Sequence, residues 1–194
     1  MQKINSSLEL LTALATDPRM VVLCSLLIVA AVIDCRSYKI PNWLTVGGAT
    51  FALIYSAVVP FSAQEGLLWA FGGLALGFIF LLPGYALGVM GAGDVKLMAM
   101  AGAFLGVSDT FSAVIATFIV GGIAALVYAL FQRAFVRMFS NVKNITQTML
   151  VSAVVGFRPD VRIDASHSVG KMPYGVSISI GTIGYVVARQ LGFV

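Results

Sequence analysis

No residue from Gly66 to Met90 carries a charge, and from Leu97 to Phe131 only Asp109 does. A soluble domain devotes about a quarter of its residues to charge in order to coat its surface; here 10% of 194 residues are charged and mean hydropathy is +0.97. The runs are apolar on both parities, whereas a membrane β-barrel strand alternates with a period of two. The expectation is an all-α, polytopic membrane protein. The length suits one membrane-embedded domain, 1–194, with short loops and no separate soluble module.

Span lengths then place the rare charges. Asp17 is a good helix N-cap and Pro18 a good first helical residue. The uncharged run Met20–Ile33 covers only about 21 Å of a hydrocarbon core ~30 Å thick. The helix must therefore continue through Asp34, Cys35 and Arg36, with Asp34 in its last turns. Ile40-Pro41-Asn42 breaks the helix and turns the chain back into the bilayer. Further spans are expected at Trp43–Val59, Gly66–Met90 (kinked at Pro83-Gly84), Val95–Val107, Thr110–Phe131 and Met172–Phe193, making six. Residues 1–16 read as an interfacial lead-in. The segment 132–171 opens with Phe135, Met138 and Val142 at helical spacing among Arg133, Arg137 and Lys143, the pattern of an amphipathic helix on the membrane surface.

With six spans, nine of the twelve basic residues fall on one side and Lys3, Arg19 and Arg189 on the other. The richer side is cytoplasmic by the positive-inside rule, and both termini are outside. Asp34 and Asp94 then share the cytoplasmic side. The basic residues are scattered at span ends, which speaks against nucleic acid as a partner. Cys24 and Cys35 are too few for a disulfide framework or a structural zinc site, and no His-Glu-x-x-His motif is present, so no metal or cofactor is expected. Residues 1–17 lack the pattern of a cleavable signal. His167, in a polar loop, reads as an exposed histidine rather than a base for Cys35.

An acidic side chain at membrane depth costs ~2.5–3.5 kcal/mol on insertion scales, so Asp94 is a functional candidate, with Gly91 and Gly93 allowing close approach to it. Two carboxylates about 3 Å apart cannot both ionise and share a proton. The ionised one can activate water, and the protonated one can polarise a peptide carbonyl and later protonate the leaving amine. The competing reading pairs Asp34 with Arg36 or Lys39 and Asp94 with Lys96. Lys96 either tunes Asp94 or snorkels to the interface. Pro41 and Asn42 shape the loop or touch a substrate. Three small-xxx-small pairs, Gly73/Gly77, Gly84/Gly88 and Gly102/Gly106, would let helices pack closely.

Asp34-Cys35-Arg36 with Ile40-Pro41-Asn42, and then Gly91-Ala92-Gly93-Asp94-Val95-Lys96-Leu97, resemble the two signatures of type IV prepilin leader peptidases, the Gly-x-Gly-Asp membrane aspartyl proteases. Pro173-Tyr174-Gly175 is similar to a weaker third feature. The resemblance implies cleavage of prepilin or pseudopilin leaders at the cytoplasmic face of a bacterial inner membrane, usually after a glycine. Asp34 and Asp94 match the catalytic pair, and Gly91, Gly93, Lys96, Pro41 and Asn42 are the candidates for binding substrate or shaping the site, a plain loop requirement being the other reading of the two glycines. The sequence lacks the paired Cys-x-x-Cys motifs of the larger, methylating members and is similar to the short, peptidase-only type of Flp/Tad pilus systems. The alternative is a non-enzymatic transporter or pilus-assembly component whose two aspartates bind protons or cations.

Overall fold

The computed structural model describes residues 18–58, 66–131 and 173–193. The lead-in, the proposed N-cap Asp17, the amphipathic segment expected within 132–171 and His167 lie outside the described residues. The described residues form helices and no strands: α1 Pro18–Ser37, α2 Asn42–Val58, α3 Leu67–Ala86, α4 Ala92–Phe131 and α5 Tyr174–Gln190. Three stretches, Pro18–Ser37, Leu67–Ala86 and Ala92–Val127, are long and apolar enough to cross a membrane.

An unbroken α4 of 40 residues would measure about 60 Å, twice a hydrocarbon core. It is broken at Gly106, whose φ of 74° and ψ of −176° are not helical. Expected spans four and five are therefore joined at one glycine, and no loop separates them at Ser108–Asp109. The arm before Gly106 is antiparallel to α3, with Gly73 against Gly102 and Gly77 against the carbonyl of Met98. The arm after it follows α3, from Val107 beside Gly72 to Phe111 edge-on to Phe80. The chain thus reverses at Gly106, and the indole of Trp69 occupies the space that a side chain there would need. Thr110 Oγ donates across the bend to the carbonyls of Gly102 and Gly106.

Close approach of helix backbones replaces the hydrophobic driving force that lipid does not supply. Gly73 and Gly102 abut each other's carbonyls, and a Cβ on Gly181 would lie 2.6 Å from Thr117 Cα. The pair Gly84/Gly88 does not serve this way. Gly88 has φ 71° with nothing near its missing Cβ. It terminates α3 as the left-handed residue of a Schellman motif, with Val89 N–H donating to the Gly84 carbonyl (3.0 Å) and Gly88 N–H to that of Tyr85 (2.9 Å). The expected span Gly66–Met90 accordingly stops being helical at Ala86.

Phe104, Met98, Met100, Leu97, Leu23, Leu27 and Ile178 fill the centre, drawn from α1, α4 and α5. The first arm of α4 is the axis, with Gly48 of α2 against Met100 and Phe51 of α2 stacked on Phe104. The bundle therefore has two polar ends. At one, Arg19 lies 5.3 Å from the ring centroids of both Tyr55 and Trp69, and buried Asp109 accepts from Tyr185 Oη (2.9 Å) and pairs with Arg189. At the other end are the C-terminus of α1 and the N-termini of α2, α4 and α5.

Candidate active site

Two helix N-termini meet two carboxylates at that second end. In α4, Gly91 precedes the first helical residue and its N–H donates to Asp94 Oδ2 at 2.9 Å, while Asp94 N–H donates back to the Gly91 carbonyl at 3.1 Å. A carboxylate three residues into a helix that binds the N-cap N–H is one half of a capping box. Glycine at the cap has no side chain to offer, so Asp94 closes the helix start alone. Asp94 thus belongs to the first helical turn, and the expected start of this span at Val95 moves back to Ala92.

Asp34 is held by a different helix. It lies in the last turn of α1, and its Oδ2 accepts the N–H of Gly175, the second residue of α5, at 2.8 Å. A Cβ on Gly175 would lie 2.8 Å from that same oxygen, so the approach is available only to glycine. Each carboxylate therefore faces the positive end of a helix dipole, an environment that stabilises negative charge. Both are buried, at 4% and 7% exposure. Asp34, through Gly175, and Asp94, through Gly93, both flank Ile40 at this end of the bundle. The Gly91 and Gly175 amides each engage Oδ2 of their carboxylate.

Neither aspartate forms an ion pair with Arg36, Lys39 or Lys96 among the described residues. Lys96 Nζ instead donates to Asn42 Oδ1 at 2.9 Å, tying α4 to the start of α2. The Pro41 carbonyl accepts from Leu44 and Thr45 N–H (3.2 and 3.4 Å) and begins α2. Gly93 packs on the turn between α1 and α2, where its Cβ would lie 3.2 Å from Ile40 Cβ; a Cβ on Gly91 would meet Asp94 Oδ2 at 3.3 Å and the Gly93 nitrogen at 3.9 Å.

Three residues of this end escaped the sequence reading as site residues: Ile40, Tyr174 and Gly175. Tyr174 is the first residue of α5 and half-buried, next to the Gly175 that holds Asp34. The available signal was Pro173-Tyr174-Gly175, a glycine in the first turn of a helix, where its conformational freedom serves no purpose and close approach does. Cys35, by contrast, is exposed and free. Among the described residues no group of three or more His, Cys, Asp or Glu side chains is disposed to hold a metal ion.

The arrangement offers two buried carboxylates at one end of the bundle, each oriented by a backbone amide, beside a glycine-rich turn. Compared with known proteins, residues 21–130 match the model of a family described as type IV leader peptidase. No curated protein and no solved structure matches the chain.

Proposed function

The chain belongs to the type IV leader peptidase family, and from that membership we propose that it is a membrane aspartic endopeptidase that removes the leader of a type IV prepilin or pseudopilin, of the Flp/Tad kind. The observation that carries the reading is the convergence of Asp34 and Asp94, from separate helices, at one end of the bundle, each anchored by the start of a helix. The two share a proton because both cannot ionise side by side in a poorly solvated site. The ionised carboxylate takes a proton from water as that water attacks the scissile carbonyl. The protonated carboxylate donates its proton to the carbonyl oxygen, giving a gem-diol. As the C–N bond breaks, the carboxylate that took the water's proton passes it to the leaving amine, and the other recovers a hydroxyl proton from the gem-diol as the product carbonyl forms. With Oδ2 of each held by a backbone amide, the pair is positioned without side-chain reorganisation.

The topology that goes with this reading has six spans, the two arms of α4 counting separately, and both termini outside. The site end is then cytoplasmic, which accords with Arg36, Lys39 and Lys96 lying there against Arg19 and Arg189 at the opposite end. A prepilin carries a basic leader in the cytoplasm and an apolar helix in the bilayer, so its scissile bond meets the boundary at which the two aspartates stand. Lipid is the second partner implied.

The test is cleavage of a prepilin by the purified protein in detergent or vesicles, followed as a shortened product. Asp34→Asn and Asp94→Asn are each expected to abolish the product while the protein remains folded. Full cleavage by either variant refutes the dyad, and retention of a bound cation with no cleavage by the wild type would favour the transport reading.

A further inference from the structure

The turn between α1 and α2 puts one side chain between the supports of both carboxylates. Ile40 is half-buried and packs against the core. On one side, its Cβ and backbone lie against Gly93, where a Cβ would be 3.2 Å from Ile40 Cβ and 3.5 Å from its nitrogen. Gly93 directly precedes Asp94. On the other side, Ile40 Cδ1 lies where a Cβ on Gly175 would be 2.8 Å away, and Gly175 is the residue whose N–H holds Asp34. One side chain thus touches the helix start that carries Asp94 and the helix start that grips Asp34.

The turn itself is fastened. Tyr38 N–H donates to the Asp34 carbonyl at 2.9 Å, and Tyr38 takes the left-handed conformation, φ 51°, that reverses the chain after α1. Ser37 Oγ donates to the carbonyls of Ile33 (2.8 Å) and Lys39 (3.2 Å). Beyond Ile40, Pro41 starts α2 and Asn42 is held by Lys96. A β-branched side chain is stiff at χ1, which fixes the Cγ atoms of Ile40, while Cδ1, free to turn about χ2, is confined by its place against Gly175.

We propose that Ile40 is a positioning residue, a spacer whose Cδ1 holds the α5 start, and with it Asp34, at a set separation from Asp94. The inference rests on the peptidase reading above. Ile40→Val removes Cδ1, and with it the contact to Gly175, while keeping the Cβ against Gly93; Ile40→Ala removes both Cγ atoms as well. Misplacing reacting groups by about 1 Å costs up to roughly 100-fold in rate, so kcat per folded molecule should fall about 10-fold in Ile40→Val and further in Ile40→Ala, with KM within about twofold.

The experiment measures kcat and KM on a synthetic prepilin, with a basic leader, a glycine before the scissile bond and an apolar helix, in proteoliposomes. Rates are normalised to monodisperse, folded protein, and Ile40→Val serves if Ile40→Ala does not fold. The double variant Ile40→Val/Gly175→Ala is included, because both substitutions act on one contact; its loss should be smaller than the product of the two single losses. An unchanged kcat per folded molecule overturns the spacer role in favour of a purely structural one. A raised KM with unchanged kcat overturns it in favour of substrate contact. Asp34→Asn and Asp94→Asn, run alongside, separate the two levels: if they cleave normally the peptidase reading fails, and if they are inactive while Ile40→Val is fully active only the spacer inference fails.

Discussion

Replacing Gly175 with alanine exchanges a hydrogen for a methyl group at the point where the site is tightest. The new Cβ would stand 2.8 Å from Asp34 Oδ2 and from Ile40 Cδ1, and 3.1 Å from Asp34 Cγ. Restoring an ordinary contact of 3.4 Å moves the carboxylate by about 0.6 Å. That shift lengthens the 2.8 Å bond from Gly175 N–H, a hydrogen bond to a charged group worth about 1.5–3 kcal/mol. A displacement of 1 Å is worth about 100-fold in rate, so roughly 10- to 100-fold is expected in kcat. Every atom that must yield is the end of a side chain, so the fold survives with a stability loss near the low end of the ~1–3 kcal/mol typical of overpacking. Gly181→Ala, six residues along the same helix, is the internal contrast. Its Cβ would meet the backbone of Thr117 at 2.6–2.7 Å, and backbone cannot swing aside, so this variant should lose folded protein rather than rate. The assay is cleavage kinetics on a prepilin beside a thermal melt in detergent. A Gly175→Ala enzyme with wild-type kcat, or one that fails to fold while Gly181→Ala folds normally, would refute the reasoning.

Three further outcomes are expected. Asp94→Asn keeps a side-chain oxygen to accept the Gly91 N–H, so it should be inactive yet as stable as the wild type; Asp94→Ala loses the cap as well and should be less stable by ~1 kcal/mol in a melt. Asp109→Ala strands the Tyr185 hydroxyl and the Arg189 guanidinium at the far end. Because the Arg189 side chain is 50% exposed, the cost should be about 1–3 kcal/mol rather than that of a fully buried pair, with kcat per folded molecule unchanged. Dyad hydrolysis uses no metal, so excess EDTA should leave the cleavage rate unchanged, and a rate lost to EDTA and restored by a divalent cation would overturn the mechanism.

Much of the helical framework was legible because hydropathy is a local property. The shortness of Met20–Ile33 required a helix that runs past Asp34, and α1 ends at Ser37. Boundaries set by backbone geometry were less legible. Gly88 looked like a packing glycine and is a helix terminator, because a left-handed φ leaves no trace in a run of glycines and apolar residues. Gly106 likewise replaced an expected loop with a single-residue reversal, and its neighbour Trp69 is 37 positions away in the sequence.

The sequence by itself determined that this is a helical, membrane-type chain, which two aspartates are conspicuous in it, and which motifs surround them, because charge scarcity and motif spacing are written residue by residue. Only the tertiary structure decided how those aspartates are held. Asp34 is gripped by an amide 141 residues away, Lys96 bonds Asn42 rather than its near neighbour Asp94, and Ile40 lies between two glycines from distant helices. The physical reason is that a buried carboxylate must find a donor, and which donor is within 3 Å depends on how closely helices approach. That is settled where a side chain is missing, and a sequence does not say what will fill the space.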